Sequence, residues 1–331
     1  MSTRRKVFAL VLLVLIAIGI ALNNRAPQPP QARFSNRSVH GLDIGEVMQL
    51  AFSTLADPSD VDQLLASKEV LLSNDYVIAT IGNGEKYLVE TSGSDTIKDI
   101  LRRGERWDPS QIHCVEQFIP VGSNVVDVGA HIGTVTIPYA QFVGDHGRVY
   151  AFEPQQKIYA ELLSNLYLNE INNVTAIRKA VGNSFGEIEM AVPPWANEGA
   201  TGFGKNGELV PLIPLDSLRL KDISFIKIDV EGAEKMVLEG ARQTITREKP
   251  VMYIEISGEY GQSPDDTKHF DDTVQLLKDL DYRVTRASSL FLFTPQATSS
   301  GPPNYAADYL ALPRSYNKQF EQDRCKAFAD Q

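Results

Sequence analysis

Short runs of β-branched and aliphatic residues alternate along this chain with longer segments in which apolar residues recur at helical spacing. Val125, Val126 and Val128 form the first such run, which predicts a short strand buried on both faces. The further strands predicted in this alternation are residues 149–152, 174–178, 225–229 and 251–256. The helices predicted with them are residues 132–142, 154–169, 233–240 and 271–280. Because parallel strands need crossover helices, this order predicts an α/β fold with a doubly wound, mainly parallel sheet.

The segments on either side of this alternation carry weaker patterns. Residues 76–81 and 86–89 flank Gly82-Asn83-Gly84, which predicts a β-hairpin, and residues 60–72 have the spacing of a covering helix. Shorter helices are predicted at residues 95–101 and 107–118. The remaining predicted strands are residues 187–192, 209–215, 282–285, 290–293 and 309–312. Residues 193–207 are rich in Gly, Pro and Asn and are predicted to form a loop.

Acidic residues mark the ends of several predicted strands. Asp127, Glu153, Asp229 and Glu255 each lie at or near the end of a buried strand. In open α/β sheets, ligands bind outside the carboxyl ends of the strands, so we expect these carboxyl groups to share one rim. Asp229 begins an acidic cluster that continues with Glu231 and Glu234 at a predicted helix start, where the helix dipole favours acids in any case. Both explanations of this cluster stay open, with Asp229 as its best functional candidate.

A glycine-rich turn follows the first core strand. Gly129, Ala130, His131 and Gly133 let the backbone turn tightly and approach a ligand closely, although both glycines could instead serve packing. Small residues followed by an acid on the next strand are the usual way in which such a sheet holds a nucleoside-bearing cofactor. We therefore expect Glu153 to bind the ribose hydroxyls rather than only cap the next helix.

Asp127 and His131, at this turn, have more specific expected roles. Asp127 could merely hold the turn by bonding loop amides, but its position just before the glycines favours a contact with the amino group of a ligand. His131 is expected to act through its backbone rather than through its ring.

The motifs DVGAHIG, AFEP, PLDSL and FIKIDVEGAEKMVLEGA, in this order and spacing, resemble the FkbM family of S-adenosylmethionine-dependent methyltransferases. The resemblance runs from about Asp95 to Pro313, and His131 stands where the family usually has Asn. It implies a class I methyltransferase fold of the Rossmann-like type, S-adenosyl-L-methionine as the cofactor and, usually, O-methylation of sugars, glycolipids or small metabolites. The cofactor-binding residues expected on this basis are Asp127, Gly129, Ala130, His131, Gly133, Glu153 and Asp229.

The expected reaction is transfer of the methyl group to a hydroxyl of a small-molecule or glycan acceptor. Alignment and proton acceptance are the main demands on the protein, and Asp229 and Glu255 are the candidate catalytic residues. No metal is expected, because these two acids lack a convincing third ligand.

Two other functions remain as alternatives. One is a catalytically inactive cofactor-fold protein that only binds. The other is an NAD-binding oxidoreductase, which is disfavoured because Ala130 and His131 occupy the turn where a pyrophosphate needs the G-x-G-x-x-G pattern.

The overall charge limits the range of partners. The 331 residues carry a formal net charge of −10 and a pI near 5.1, which argues against a nucleic-acid binder. The oligomeric state is left open by the sequence.

The N-terminus carries a membrane signal. Arg4, Arg5 and Lys6 precede an apolar run over residues 7–22, which is shorter than the roughly 20 residues of an ideal spanning helix. We expect residues 1–24 to form a single-pass membrane anchor, with a cleaved signal peptide and a secreted protein as the alternative. The clustered basic residues before the run favour a lumenal or extracytoplasmic globular domain. Residues 25–75 would then be a linker with covering helices, and residues 76–331 the methyltransferase-like domain.

Cys114 and Cys325 are the two cysteines of the chain. They could pair in an oxidising lumen, but two distant cysteines without a spacing pattern are more often unrelated thiols. The sequence therefore leaves open whether these two cysteines pair.

Overall fold

The computed structural model describes residues 42–72, 75–91, 95–191, 202–203, 207–257, 264–287, 306–317 and 324–325. The helices are α1 (Ile44–Leu55), α2 (Val61–Leu71), α3 (Thr96–Arg102), α4 (Pro109–Glu116), α5 (Thr136–Val143), α6 (Gln156–Leu168), α7 (Glu234–Gly240), α8 (Arg242–Glu248) and α9 (Pro264–Asp279). The strands are β1 (Tyr76–Thr80), β2 (Lys86–Glu90), β3 (Asn124–Val128), β4 (Arg148–Phe152), β5 (Val174–Ile177), β6 (Ala180–Val181), β7 (Gly186–Ala191), β8 (Gly202–Phe203), β9 (Glu208–Ile213), β10 (Ile223–Ile228), β11 (Val251–Ser257), β12 (Tyr282–Arg286) and β13 (Ala306–Pro313). The predicted anchor at residues 1–24 and the predicted strand at residues 290–293 lie outside the described residues.

A seven-stranded sheet forms the centre of the molecule, in the order β12-β13-β11-β10-β3-β4-β5. The neighbours β11, β10, β3, β4 and β5 run parallel, while β13 is antiparallel to both β11 and β12. The prediction of a mainly parallel sheet is therefore confirmed. Because the parallel strands are in register, with Lys227 of β10 opposite Asp127 of β3, their carboxyl ends meet at one rim.

Helices cover both faces of this sheet. On one face, Tyr139 of α5 packs in the same cluster as Val125 and Phe225 of the sheet. On the other face, Val237 of α7 packs with Ile228. Burial on both faces explains why the core strands are almost uniformly apolar.

The segments before the first core strand form part of the folded body. Met48 and Phe52 of α1 and Leu64 of α2 are fully buried in one cluster with residues of the β1-β2 hairpin and of α6. The covering helices expected within residues 25–75 are thus α1 and α2.

The structure differs from the sequence prediction in several places. Strand β8 lies within the predicted loop at residues 193–207, and β13 begins at Ala306 rather than at residue 309. Helix α5 begins at Thr136 rather than at residue 132, because His131 and Gly133 have φ values of 48° and 91° that no α-helix contains. Helix α8 was not predicted, since its pattern is short and mixed. Strands β6, β9, β7 and β8 form a separate four-stranded sheet beside the central one.

Cys114 of α4 and Cys325, whose pairing the sequence left open, form a disulfide bond. Tertiary packing brings their Cα atoms to 4.4 Å across 211 residues of sequence. Arg324 reinforces this contact by an ion pair to Glu116, with 2.8 Å between Nη2 and Oε2.

Within the described ranges, no helix has the length and apolar character needed to cross a bilayer. The predicted anchor is not part of those ranges and stays a prediction.

Candidate functional site

A glycine turn over residues 129–133 joins β3 to α5 and lies against the end of β10. The amides of Gly129 and Ala130 both donate to the carbonyl oxygen of Phe152, at 3.0 and 2.9 Å. Gly129 has φ 81°, and a Cβ atom at this position would lie 1.8 Å from the backbone oxygen of Asp229. No side chain fits there, because the two backbone segments lie close together. The expected close approach of a ligand to this turn stays a prediction.

The second glycine of the turn has a packing role. A Cβ atom on Gly133 would lie 2.8 Å from the Cδ1 atom of Leu162 on α6. Gly133 does not line the recess beside the turn, whereas Gly129, Ala130 and His131 do. The sequence leaves open whether these glycines serve ligand approach or packing. The position of Gly133 in the structure is explained by packing.

Glu153 ties the end of β4 to the glycine turn. Its Oε2 atom accepts from the backbone amide of His131 at 3.0 Å, and its Oε1 atom accepts from the amide of Gln155 at 2.9 Å. Burial raises the pKa of this carboxyl group to about 7, although both amide bonds favour the ionised form. Both amides precede α6, so these bonds do not cap that helix. Glu153 also lines the recess, and the ribose contact stays a prediction.

Asp127 lies behind the wall of the recess. It is fully buried, its Oδ2 atom accepts from the Thr136 hydroxyl at 2.5 Å, and burial raises its pKa. Its Oδ1 atom is 3.7 Å from Nζ of Lys227. The predicted contact between Asp127 and the amino group of a ligand stays a prediction.

Lys227 lies at the centre of the rim, and its role was not foreseen from the sequence. It is 4% exposed and its Nζ atom donates to the carbonyl oxygen of Gly129 at 2.7 Å and pairs with Oδ2 of Asp229 at 3.1 Å. Burial by itself lowers the pKa of Lys227, but the Asp229 and Asp127 carboxylates outweigh it and hold this pKa above its usual range. The available signal was a lysine in the middle of the apolar strand FIKI, where an unpaired charge is too costly to bury.

The rim also gathers the two predicted catalytic residues. Carboxyl oxygens of Asp229, Glu231 and Glu255 lie within 4.8 Å of one another, close enough to hold a divalent cation. The charge of Asp229, together with burial, raises the pKa of Glu255 well above its usual range, and burial raises the pKa of Glu231 to about 8. Glu231 supplies a third carboxyl group beside Asp229 and Glu255, which the sequence pattern did not predict. The expectation that no metal binds here stays a prediction.

Glu234, the last acid of the sequence cluster, faces away from this group. Its Oε2 atom is 2.6 Å from Nε2 of His269, and its Oε1 atom accepts from the amide of Gly232 at 2.8 Å. Glu234 therefore fixes the start of α7 against α9, which is a structural role.

Asp308 is a second rim residue that was not foreseen from the sequence. It lies on β13 directly opposite Glu255 in the antiparallel pair, and burial raises its pKa to about 7. The predicted strand began one residue after it, at residue 309, so the sequence pattern carried no sign that this acid belongs to the rim.

The recess between these groups is lined by apolar and by polar side chains. Its apolar lining includes Phe152, Pro154, Val181 and Met190. Trp107 and Gln111, at the start of α4, line the recess together with the acidic Asp229 and Glu231. A lining with both apolar and acidic side chains suits a ligand with an aromatic base and a polar end.

Known proteins show only distant similarity to this chain. No curated protein matches it. Among solved structures, the methyltransferase FkbM from Methylobacillus flagellatus KT is similar at 18% identity over 80% of this chain, with a TM-score of 0.39. This chain spans only 58% of that protein.

Two further structures have the same level of similarity. The SAM-dependent O-methyltransferase from Thermotoga maritima shares 14% identity, covering 74% of this chain and 95% of its own, with a TM-score of 0.39. Fibrillarin from Aeropyrum pernix, solved with natively bound S-adenosyl-L-methionine, shares 12% identity, covering 72% of this chain and 100% of its own, also with a TM-score of 0.39. Similarity at this level says nothing about activity.

The sequence profile of the methyltransferase FkbM domain matches residues 127–284, from the acid of the glycine turn to β12. The matched stretch contains the motifs on which the resemblance rested, and the mainly parallel sheet is the class I methyltransferase-like fold that it implied. Residues 127–284 of this chain are thus similar to the methyltransferase FkbM domain.

Proposed function

We propose that this protein uses S-adenosyl-L-methionine to methylate a hydroxyl group of a sugar, a glycolipid or a small metabolite. The observation that carries the proposal is the acidic group of Asp229, Glu231 and Glu255 beside a glycine turn that has no room for a side chain. The turn and its neighbours suit a nucleoside cofactor, and the acids suit a hydroxyl acceptor.

The residues of the recess fit this cofactor. The apolar slot formed by Phe152, Pro154 and Val181 would hold the adenine, and the carboxyl oxygens of Glu153 would accept from the ribose hydroxyls. Gly129, Ala130 and His131 would form the wall beside the methionine portion. When bound, the cofactor supplies an electrophilic methyl group on a sulfonium.

The acids of the rim would handle the acceptor. A hydroxyl group becomes a better nucleophile as its proton moves to a base, and a carboxyl group with a raised pKa is a stronger base than an ordinary one. Glu255 has such a pKa, and Asp229 lies within 4.8 Å of it. Asp229 would orient the hydroxyl, and Glu255, in its ionised form, would accept its proton and become the neutral acid.

The test measures binding and turnover separately on the full-length chain. Calorimetry with S-adenosyl-L-methionine tests binding, and mass spectrometry after incubation with a library of hydroxylated acceptors tests transfer. Asp229→Asn and Glu255→Gln are expected to lower turnover about 100-fold or more, as loss of a catalytic acid or base does. Glu187→Gln, on the exposed part of β7, is the matched control and is expected to keep full turnover.

Each other outcome assigns a different function. Absence of cofactor binding would reject the methyltransferase proposal, and binding of NAD instead would favour an oxidoreductase. Binding without transfer to any acceptor would favour an inactive binding protein. Full turnover in both acid variants would reject the roles of Asp229 and Glu255.

We also propose that the globular domain works on the extracytoplasmic or lumenal side of a membrane, anchored by residues 1–24. The disulfide between Cys114 and Cys325 supports an oxidising compartment, since such bonds persist there. Protease protection in sealed vesicles tests this, and digestion of the domain from the cytosolic side would reject it.

A further inference from the structure

The acceptors around the glycine turn form a binding place for an ammonium group. An ammonium ion has three N–H donors and is stabilised in a buried site by carboxylates and carbonyl oxygens. Oδ1 of Asp127, the carbonyl oxygen of Gly129 and Oδ2 of Asp229 supply such a set. Of this set, Asp127 is the residue that the sequence assigns to the amino group of a ligand.

In the folded protein, one internal ammonium already occupies this place. Nζ of Lys227 lies 2.7 Å from the Gly129 oxygen, 3.1 Å from Oδ2 of Asp229 and 3.7 Å from Oδ1 of Asp127. The first two distances are those of hydrogen bonds, and the third is that of an ion pair. Burial of Lys227, at 4% exposure, and of Asp127, at 0%, keeps water from competing for these contacts.

Displacing Lys227 would be costly. Lys227 lies on the central strand β10, between β3 and β11, and its ammonium would have to give up its contacts with Gly129 and Asp229 to leave the site. Its departure would also leave the carboxylate of Asp127 buried without this cationic partner. A second ammonium placed beside it would meet like-charge repulsion.

We propose that Lys227 takes the place of the ligand's amino group at the glycine turn, so that cofactor recognition does not depend on the α-amino group of the methionine portion. This inference rests on the proposed use of S-adenosyl-L-methionine. It makes Lys227 a positioning residue, which holds the Gly129 carbonyl and the Asp229 carboxylate in the arrangement that a bound amino group would otherwise impose.

The test compares two ligands by calorimetry on the full-length protein: S-adenosylhomocysteine and its analogue without the α-amino group. In the wild type the two dissociation constants are expected to agree within about threefold, because no charge-assisted hydrogen bond distinguishes them. In Lys227→Met, the vacated place is open to the ligand. The amino-bearing ligand is then expected to bind about tenfold to a hundredfold more tightly than the analogue, which is the value of one such bond.

The wild-type measurement alone decides the proposal if Lys227→Met does not fold. A preference of the wild type for the amino-bearing ligand of more than about threefold would overturn it, because the ligand's amino group would then reach the site despite Lys227. If Lys227→Met folds and shows no increase in this preference, the proposal also fails.

A failure of the proposed function would give a different binding result from a failure of the Lys227 inference. If neither ligand nor S-adenosyl-L-methionine binds to the wild type, the cofactor assignment is rejected, and the Lys227 inference falls with it. Lys227→Arg is the conservative variant, and it is expected to keep the small wild-type preference because its cation remains in place. A purely structural lysine would change melting temperature without changing the ratio of the two affinities.

Discussion

Gly129 is the residue at which the site tolerates least change. A Cβ atom there would lie 1.8 Å from the Asp229 backbone oxygen, in addition to the strain of its φ of 81°. Gly84 has a similar φ of 89° but open space around it, so Gly84→Ala isolates the strain, about 1–2 kcal/mol. We expect Gly129→Ala to lose about 1–3 kcal/mol more by overpacking and to lose cofactor binding. Urea unfolding of both variants measures this, and equal losses would contradict it.

Glu153 makes stability depend on pH. Burial raises the pKa of this residue from 4.5 to about 7 in the folded protein, so the folded state holds a proton that the unfolded state releases above pH 4.5. Its contribution to stability is therefore full below pH 4.5 and is lost as the pH rises to 7, by about 3 kcal/mol.

The variant Glu153→Gln removes this titration. From pH 5 to pH 8, the unfolding free energy of the wild type is expected to fall relative to that of the variant by about 2–3 kcal/mol. Urea unfolding of both proteins at the two pH values gives this difference directly. A difference that stays constant with pH would show that the buried carboxyl group does not titrate as described.

The sequence placed the acids of the rim correctly for a simple reason. Asp127, Glu153, Asp229 and Glu255 follow apolar strands, and parallel strands end at one edge. The same pattern could not show that Asp127 lies behind the wall or that Lys227 pairs with it, because both facts depend on neighbouring strands in register.

At the scale of elements, a buried ion pair holds the N-terminal segments to the central domain. Nζ of Lys98, on α3, lies 2.9 Å from Oε2 of Glu161 on α6, and the Tyr76 hydroxyl donates to Oε1 of the same residue. Lys98 is 2% exposed and Glu161 is 0% exposed. Removal of one partner therefore leaves the other charge buried and less well compensated.

We expect Lys98→Met and Glu161→Gln each to lower the unfolding free energy by about 3–5 kcal/mol. The double variant should lose less than either single variant, since neither buried charge of the pair remains and the amide oxygen introduced by Glu161→Gln would still accept from the Tyr76 hydroxyl. A double-mutant cycle by urea unfolding measures the coupling. Additive losses would mean that the pair contributes nothing beyond packing.

The sequence predicted the boundaries of helices and strands where the apolar pattern was long. It missed them where the backbone conformation at the site departs from that pattern. The parallel strands of the central sheet agree closely with their apolar runs, whereas β13 begins three residues before its run. The residues 132–135 look helical but lie in a turn, because φ of Gly133 is 91°. The separate sheet of β6, β7, β8 and β9 could not be foreseen, since strand patterns do not state which strands pair.

At the scale of the whole molecule, the doubly wound architecture followed from the alternation of strands and helices, whereas the disulfide did not follow from the sequence. Two cysteines carry no spacing information, and their meeting depends on α4 and residues 324–325 packing together. This bond also connects the C-terminal segment to the helix that bears Gln111, at the recess.

The disulfide is expected to contribute strongly to stability because it closes a loop of 211 residues. The chain-entropy relation gives about 5 kcal/mol for such a loop, and measured values for native disulfides are about 2–5 kcal/mol. Reduction with dithiothreitol should therefore lower the melting temperature of the wild type. The variant Cys325→Ser should melt at the temperature of the reduced wild type and should not respond to the reductant. If the oxidised and reduced wild type melt at the same temperature, the bond between Cys114 and Cys325 does not form in solution.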